Sequence, residues 1–137
     1  MYHSRKSRQT YKSYPKVKAC SFCNENELAV IIKQTLHARV IENRVSYDLW
    51  DLQGVTDHLM VLPKRHVSSL AELNETERLD LINLIAEYES KGYSVYARAP
   101  LSPTRSQPHQ HTHLIKTNKK LVRASFYISK PYISIKF

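Results

Sequence analysis

His109-Gln110-His111-Thr112-His113-Leu114-Ile115 alternates imidazole with polar side chains and then turns apolar. On an extended strand, residues two apart share a face. The spacing therefore predicts a strand over His109 to Lys116 with all three rings on one side, roughly 6.6 Å from one to the next. Three readings of such a row stand side by side. It is a polar sheet face, a three-histidine metal site of the kind that two strand histidines one residue apart begin, or a catalytic row in which one imidazole attacks phosphorus between proton-bearing neighbours.

Upstream, His58-Leu59-Met60-Val61-Leu62 reads as a short apolar strand stopped by Pro63, which cannot donate into a ladder, with Lys64, Arg65 and His66 at its end. A helix follows. Asn74 caps it with Glu77 as reciprocal partner, Leu81, Ile82, Leu84, Ile85 and Tyr88 form its apolar stripe, and Gly92 ends it. Tyr93 to Ala99 alternates again, and Pro100 to Pro108 is a turn-rich loop. Nearer the start, Leu28 to Lys33 and Ala38 to Arg44 make an antiparallel pair, and Tyr47-Asp48-Leu49-Trp50-Asp51, closed by Gln53-Gly54, reads as loop or short helix. Two more strand pieces, Phe126-Tyr127-Ile128 and Tyr132-Ile133-Ser134-Ile135, flank Pro131 and suit a sheet edge. The sum is an α+β domain, mainly antiparallel, with one long helix on a sheet face.

A length of 137 residues suits one domain with a real core. The apolar runs, such as Leu28 to Ile32, fall far short of the roughly 18 residues of a membrane span. The basic start is followed by no apolar leader, which places Cys20 and Cys23 in a reducing, cytoplasmic compartment and favours metal over disulfide. The net charge of +9 belongs to the ends. Residues 1–18 hold six Lys or Arg and no acid, residues 116–137 the same, and the segment between holds nine basic residues against all twelve acids. The expected organisation is a basic arm over 1–18, a domain over 19–116 and a basic extension over 117–137. The tails are either solvated or a contact for RNA or another polyanion, with Tyr2, Tyr11 and Tyr14 placed to stack on unpaired bases.

Cys20-Ser21-Phe22-Cys23 has the gap that lets two thiolates reach one zinc, and a closed structural site needs two more ligands. His66 and one member of the histidine row complete a Cys2His2 set, leaving two row members and His58 for chemistry. The plainer reading is two small, unligated thiols.

The triad stretch resembles the signature of the histidine triad (HIT) family, His-x-His-x-His followed by two apolar residues. His58 to His66 resembles the segment that such proteins carry ahead of their long helix, and the Cys20–Cys23 pair resembles the zinc-binding start of many bacterial members. The resemblance covers about residues 20 to 116. It implies an antiparallel sheet of about five strands with one long and one short helix, a homodimer, and a nucleotidyl hydrolase or transferase. The implied substrates are dinucleoside polyphosphates, nucleoside phosphoramidates or similar adenylylated compounds. Position by position, it makes His111 the nucleophile at the α-phosphorus, His113 and His58 donors to the non-bridging oxygens, and Ser106 an aid to the leaving group. Cys20, Cys23, His66 and His109 become the ligands of a structural zinc, and Asp51 or Asp48 the acid on the ribose hydroxyls. Gln110 and Thr112 stand where the family is usually apolar, and Asp57 where it commonly has glycine. The rival expectation is a nucleotide- or RNA-binding protein whose basic tails carry the affinity.

Overall fold

Two β-branched runs, Ile31–Gln34 (β1) and Ala38–Glu42 (β2), pair antiparallel as expected, the turn between them closed by the Thr35 N–H donating to the Ala38 carbonyl at 2.9 Å. The structure, a computed structural model, describes residues 19–24 and 30–123, and beyond them the strands Ser125–Ser129 and Tyr132–Lys136. The basic arm expected over 1–18 lies outside the described residues, as does the start of the first expected strand.

Leu49–Trp50 (β3) and Gln53–Pro63 (β4) follow, then a 3-10 turn over Leu70–Glu72, the helix Glu75–Ser90 (α1), Ser94–Tyr96 (β5) and Thr112–Leu121 (β6). The main sheet runs β1-β2-β4-β6-β5, antiparallel throughout, with β3 paired to β4 alone. Ser125–Ser129 (β7) and Tyr132–Lys136 (β8) form the two expected strand pieces but pair with each other in a separate two-stranded sheet. No helix among the described residues is long and apolar enough to cross a membrane.

The stretch expected as loop or short helix is instead a tight hairpin. Trp50 faces Gln53 across a two-residue turn in which Asp51 and Leu52 both take positive φ, 50° and 59°. A mirror-type turn of this kind matches the twist of paired strands, at a cost of order 1 kcal/mol for each non-glycine residue. The hairpin extends β4 five residues ahead of His58, over Gln53 to Asp57. Gly54 permits this, since a Cβ there would stand 2.8 Å from Asn118 Nδ2.

Both ends of α1 follow the sequence. The Asn74 side chain accepts from the Glu77 N–H while Glu77 accepts from the Asn74 N–H, each at 2.9 Å. At the other end, Gly92 takes φ 91°, its N–H reaching the Glu89 carbonyl and the Tyr93 N–H the Tyr88 carbonyl, with the two tyrosine rings packed edge to face. That closure aims the Tyr93 hydroxyl at Asp57, to which it donates, and Lys116 sits over the Tyr93 ring. Burial, then the Asp57 bond, pushes the Tyr93 hydroxyl up to about 12. Asp57 therefore has a structural task on the helix side of the sheet. Leu81, Leu84 and Tyr88 are buried on Val40, Leu59, Val61 and Leu114, whereas Ile82, expected in the stripe, points outward at 54% exposure. The helix covers one sheet face only. The other carries His58, Met60 and His113.

Arg65 fixes the loop leading to the helix, its Nε and Nη2 donating to the two Glu77 oxygens at 2.8 Å each. The Arg65 bonds, then the Asn74 N–H, hold the Glu77 carboxyl at about 2 instead of 4.5. A depressed folded-state value stabilises the fold above the unfolded value, near pH 4.5, and the contribution drains away as pH falls toward 2. Arg65→Met is expected to move acid unfolding, followed by circular dichroism, to higher pH. An unchanged midpoint would mean that the pair does not contribute.

Candidate active site and metal centre

His58 on β4 and His113 on β6 are diagonal neighbours on the uncovered face, because His58 pairs with Ile115 and Met60 with His113. Their rings meet at 2.9 Å, His58 Nε2 to His113 Nδ1. A chain of donors fixes the direction of that bond. The Tyr47 backbone N–H donates to His58 Nδ1 at 3.1 Å, so a neutral His58 carries its hydrogen on Nε2 and donates to His113 Nδ1. His113 must then hold its hydrogen on Nε2. That nitrogen is buried with no hydrogen-bond partner, a donor held ready and unused. Burial first, then the His58 and His111 rings, pushes His113 down to about 2, so it stays neutral and the arrangement survives across ordinary pH.

His111, 7% exposed, stands beside His113 with ring centroids 5.1 Å apart. Its Nδ1–H donates to the His109 carbonyl at 2.9 Å, which leaves the Nε2 lone pair free. Burial, and after it the charges of Arg105 and Arg98, lowers its pKa and keeps the ring unprotonated. The row is not wholly strand. β6 begins at Thr112, because the Gln110 N–H goes to the Val67 carbonyl at 2.7 Å and not into a ladder. This bend sends His109 toward the cysteines, away from the other two rings, and leaves His111 and His113 with the role of a pair.

Cys20, Cys23, His66 and His109 present four ligand atoms within 4.8 Å of one another. Cys20 Sγ lies 3.5 Å and Cys23 Sγ 3.4 Å from His109 Nδ1, and Cys23 Sγ lies 3.2 Å from His66 Nδ1. Zinc with Zn–N of about 2.0 Å and Zn–S of about 2.3 Å in a tetrahedron separates such atoms by roughly 3.5 Å, so the donor set fits. His109 Nε2–H donates to the Pro63 carbonyl at 2.9 Å, which fixes the tautomer that turns the Nδ1 lone pair to the two cysteine sulfurs. The anchoring of this corner explains its geometry. Lys64 bonds back to His37, Arg65 to Glu77 and Gln110 to Val67, and these hold His66 and His109 on either side of the Cys20–Cys23 turn. Phe22, between the cysteines, packs edge-on against both His109 and His111, joining the Cys/His cluster to the His111 ring.

The remaining sequence candidates fall at the rim. Ser106 is exposed with no hydrogen bond among the described residues, Asp51 is exposed at the hairpin tip, and Asp48 is half-buried beside it. Four neighbours escaped the sequence reading. Tyr47 is 6% exposed and lies over His58 and His113, with centroids at 4.5 and 5.4 Å, and Trp50 stacks on Tyr47. Asn43 places its amide nitrogen near both His58 ring nitrogens, 3.4 Å from the accepting Nδ1 and 3.1 Å from Nε2, and Arg98 donates to the Tyr47 hydroxyl at 3.0 Å. Only the aromatic pair Tyr47 and Trp50 gave a signal, and it resembles any half-buried turn.

No protein-family model matches this chain, nor does any curated protein. Similarity to solved structures is extensive. A HIT family hydrolase from Clostridium thermocellum is 20% identical with a TM-score of 0.57, covering 76% of this chain and 95% of that one. A histidine triad protein from Clostridium difficile is 21% identical with a TM-score of 0.54, covering 79% and 97%. A HIT family hydrolase from Legionella pneumophila is 17% identical with a TM-score of 0.53, covering 74% and 95%. The α+β arrangement of this chain, with its antiparallel sheet and single long helix, is the fold of the histidine triad proteins.

Proposed function

We propose that this chain is a nucleotidyl hydrolase or transferase working at the α-phosphate of a dinucleoside polyphosphate, a nucleoside phosphoramidate or a similar adenylylated compound. One observation carries the reading: His111 Nε2 holds a free lone pair beside His113 Nε2–H, a buried donor with no partner. A nucleophile next to an unused hydrogen-bond donor is what in-line attack on a phosphoryl group requires, since negative charge gathers on the non-bridging oxygens.

In the first step His111 Nε2 forms a bond to phosphorus as the bond to the leaving-group oxygen breaks. That oxygen leaves with a proton from solvent or from the exposed rim, where Ser106 is the candidate. The His113 N–H, oriented through His58 and the Tyr47 backbone, binds a phosphoryl oxygen. In the second step the oxygen of water, or of another acceptor, forms a bond to phosphorus and gives up a proton to solvent, the P–N bond breaks, and the imidazole regains its lone pair. Asp48 and Asp51 are the candidates for the ribose hydroxyls. Cys20, Cys23, His66 and His109 would hold zinc, which supplies folding energy and no chemistry. The homodimer and any RNA contact of the basic ends belong to the same proposal and rest on the resemblance and the charge distribution.

The test is release of nucleoside monophosphate from a dinucleoside polyphosphate and from an adenosine phosphoramidate. His113→Ala and His58→Ala are each expected to lower kcat on the order of 10²- to 10³-fold, as when one donor to developing charge is lost. A His113→Ala protein that retains parental turnover would remove the donor from the mechanism.

A further inference from the structure

The segment between β5 and the histidine row carries two arginines, and both act on the row. Arg98 is fastened by three contacts. Its Nε–H goes to Thr104 Oγ1 and its Nη1–H to the Tyr47 hydroxyl, each at 3.0 Å, and its guanidinium lies over the Tyr96 ring, which stacks on His113. Arg105 is held differently. Its Nε–H and one Nη2–H donate to the Gln107 and Pro108 carbonyls at 3.0 and 2.9 Å, which ties the guanidinium to the two residues ahead of His109. A guanidinium has five N–H donors, so three remain to Arg105, and no carboxylate pairs with it among the described residues. Of the charges felt by the His111 ring, that of Arg105 is the largest and that of Arg98 the next.

In the reaction proposed above, the His113 N–H already serves the α-phosphoryl oxygens, and Phe22 and His113 flank the His111 ring. What the α-phosphorus carries beyond the nucleoside therefore extends toward the rim, where Arg105 is half-buried between exposed Thr104 and Ser106. An amine leaving group is neutral or cationic and gains nothing from a guanidinium there. A di- or triphosphate leaving group gains charge-assisted hydrogen bonds in the fork geometry. We propose that Arg105 selects a polyphosphate leaving group, its remaining N–H groups holding the β-phosphoryl oxygens while Arg98 fixes the loop through Thr104. The site thereby prefers dinucleoside polyphosphates and nucleoside triphosphates over nucleoside phosphoramidates. This assignment rests on the reading that His111 attacks the α-phosphate. As the bond from His111 Nε2 to the α-phosphorus forms, the α-phosphorus–oxygen bond breaks, and the bridging oxygen leaves with the electron pair as a terminal oxygen of the β-phosphate, where the guanidinium offsets its charge.

Two measurements on the full chain test this, one of them independent of turnover. In calorimetric titration at fixed ionic strength, ATP is expected to bind the parental protein at least about tenfold more tightly than AMP, and Arg105→Gln to bring the two within about threefold. Lys91→Gln removes the same charge on the helix side, where Lys91 pairs with Glu87, and should leave the ATP-to-AMP ratio within about twofold of the parental one. In steady-state kinetics, Arg105→Gln should lower kcat/KM for diadenosine triphosphate by about 10- to 100-fold and for an adenosine phosphoramidate by less than about threefold. Equal affinities for ATP and AMP in the parental protein, or an ATP preference that survives in Arg105→Gln, overturns the assignment. So does an equal fall for both kinetic substrates, which would put Arg105 on the α-phosphoryl group or on the nucleophile. If Arg105→Gln does not fold, Arg105→Lys takes its place. The charge then stays but the fork goes, so the ATP preference should fall by about threefold or more, and an unchanged preference overturns the assignment. An ATP preference that depends on Arg105, with neither substrate turned over, would sink the nucleotidyl-transfer reading and leave the polyphosphate contact standing.

Discussion

His111→Gly is expected to lower turnover of a dinucleoside polyphosphate by at least about 10⁴-fold while leaving the fold, the metal content and nucleotide binding in place. The size of the effect follows from the division of labour on the sheet face. In the proposed mechanism His113 and His58 assist through hydrogen bonds that water replaces in part, but no other described side chain offers a buried imidazole with a free ring nitrogen beside that donor. The ring of His111 touches Phe22 and His113 without holding the core together, so its removal opens space at the reacting centre and not in the helix-side cluster. Kinetics and a binding titration on the same preparation check this. Near-parental turnover in His111→Gly, with a dead His109→Ala that still holds metal, would mean that the histidine row has been divided the wrong way.

The second large effect concerns the metal corner. Purified protein is expected to carry about one zinc per chain, as a single four-ligand set requires. Cys23→Ser should weaken zinc binding by more than the roughly 10- to 100-fold that outer hydrogen-bond partners command, because it removes a ligand itself. Without metal, burial and the neighbouring Cys20 push the Cys23 thiol up, so that thiol stays protonated and the corner formed by residues 20–23, His66 and His109 loses its link. Phe22 then lets go of His109 and His111. A chelator should lower the thermal midpoint and the turnover together, and zinc should restore both. Elemental analysis that finds no metal in carefully prepared protein would remove the site.

How much of this was legible in the sequence depends on how local the cause is. α1 was readable end to end, since Asn74, Glu77 and Gly92 act within a turn of themselves. The Cys20–Cys23 spacing pointed to its partners because ligand counting is a local argument joined to a chemical one, and the four side chains do converge. The β3–β4 hairpin was hidden, because its turn places Asp51 and Leu52 where glycine or asparagine would have announced it. β4 was read short for a related reason. Gln53, Thr56 and Asp57 look like loop residues, and only the pairing with β6 and the Tyr93 bond make them strand. In the site, the triad spacing placed His111 and His113 side by side, while the tautomers were out of reach. They depend on the Tyr47 N–H and the His109 carbonyl, backbone groups that any residue carries and that only the fold brings to a ring nitrogen. The bend at Gln110 was equally invisible, being a tertiary bond to Val67.

Transfer of phosphorus to His111 Nε2 is tested by intact mass and peptide mapping after rapid mixing with an adenylylated substrate, followed by alkaline quench, which preserves a phosphorus–nitrogen bond. A gain of one nucleotidyl group per chain is expected, confined to the peptide that contains His111 and absent from His111→Gly. Turnover without any adduct on that peptide, or an adduct on His58 or His113 in the parental protein, would contradict it.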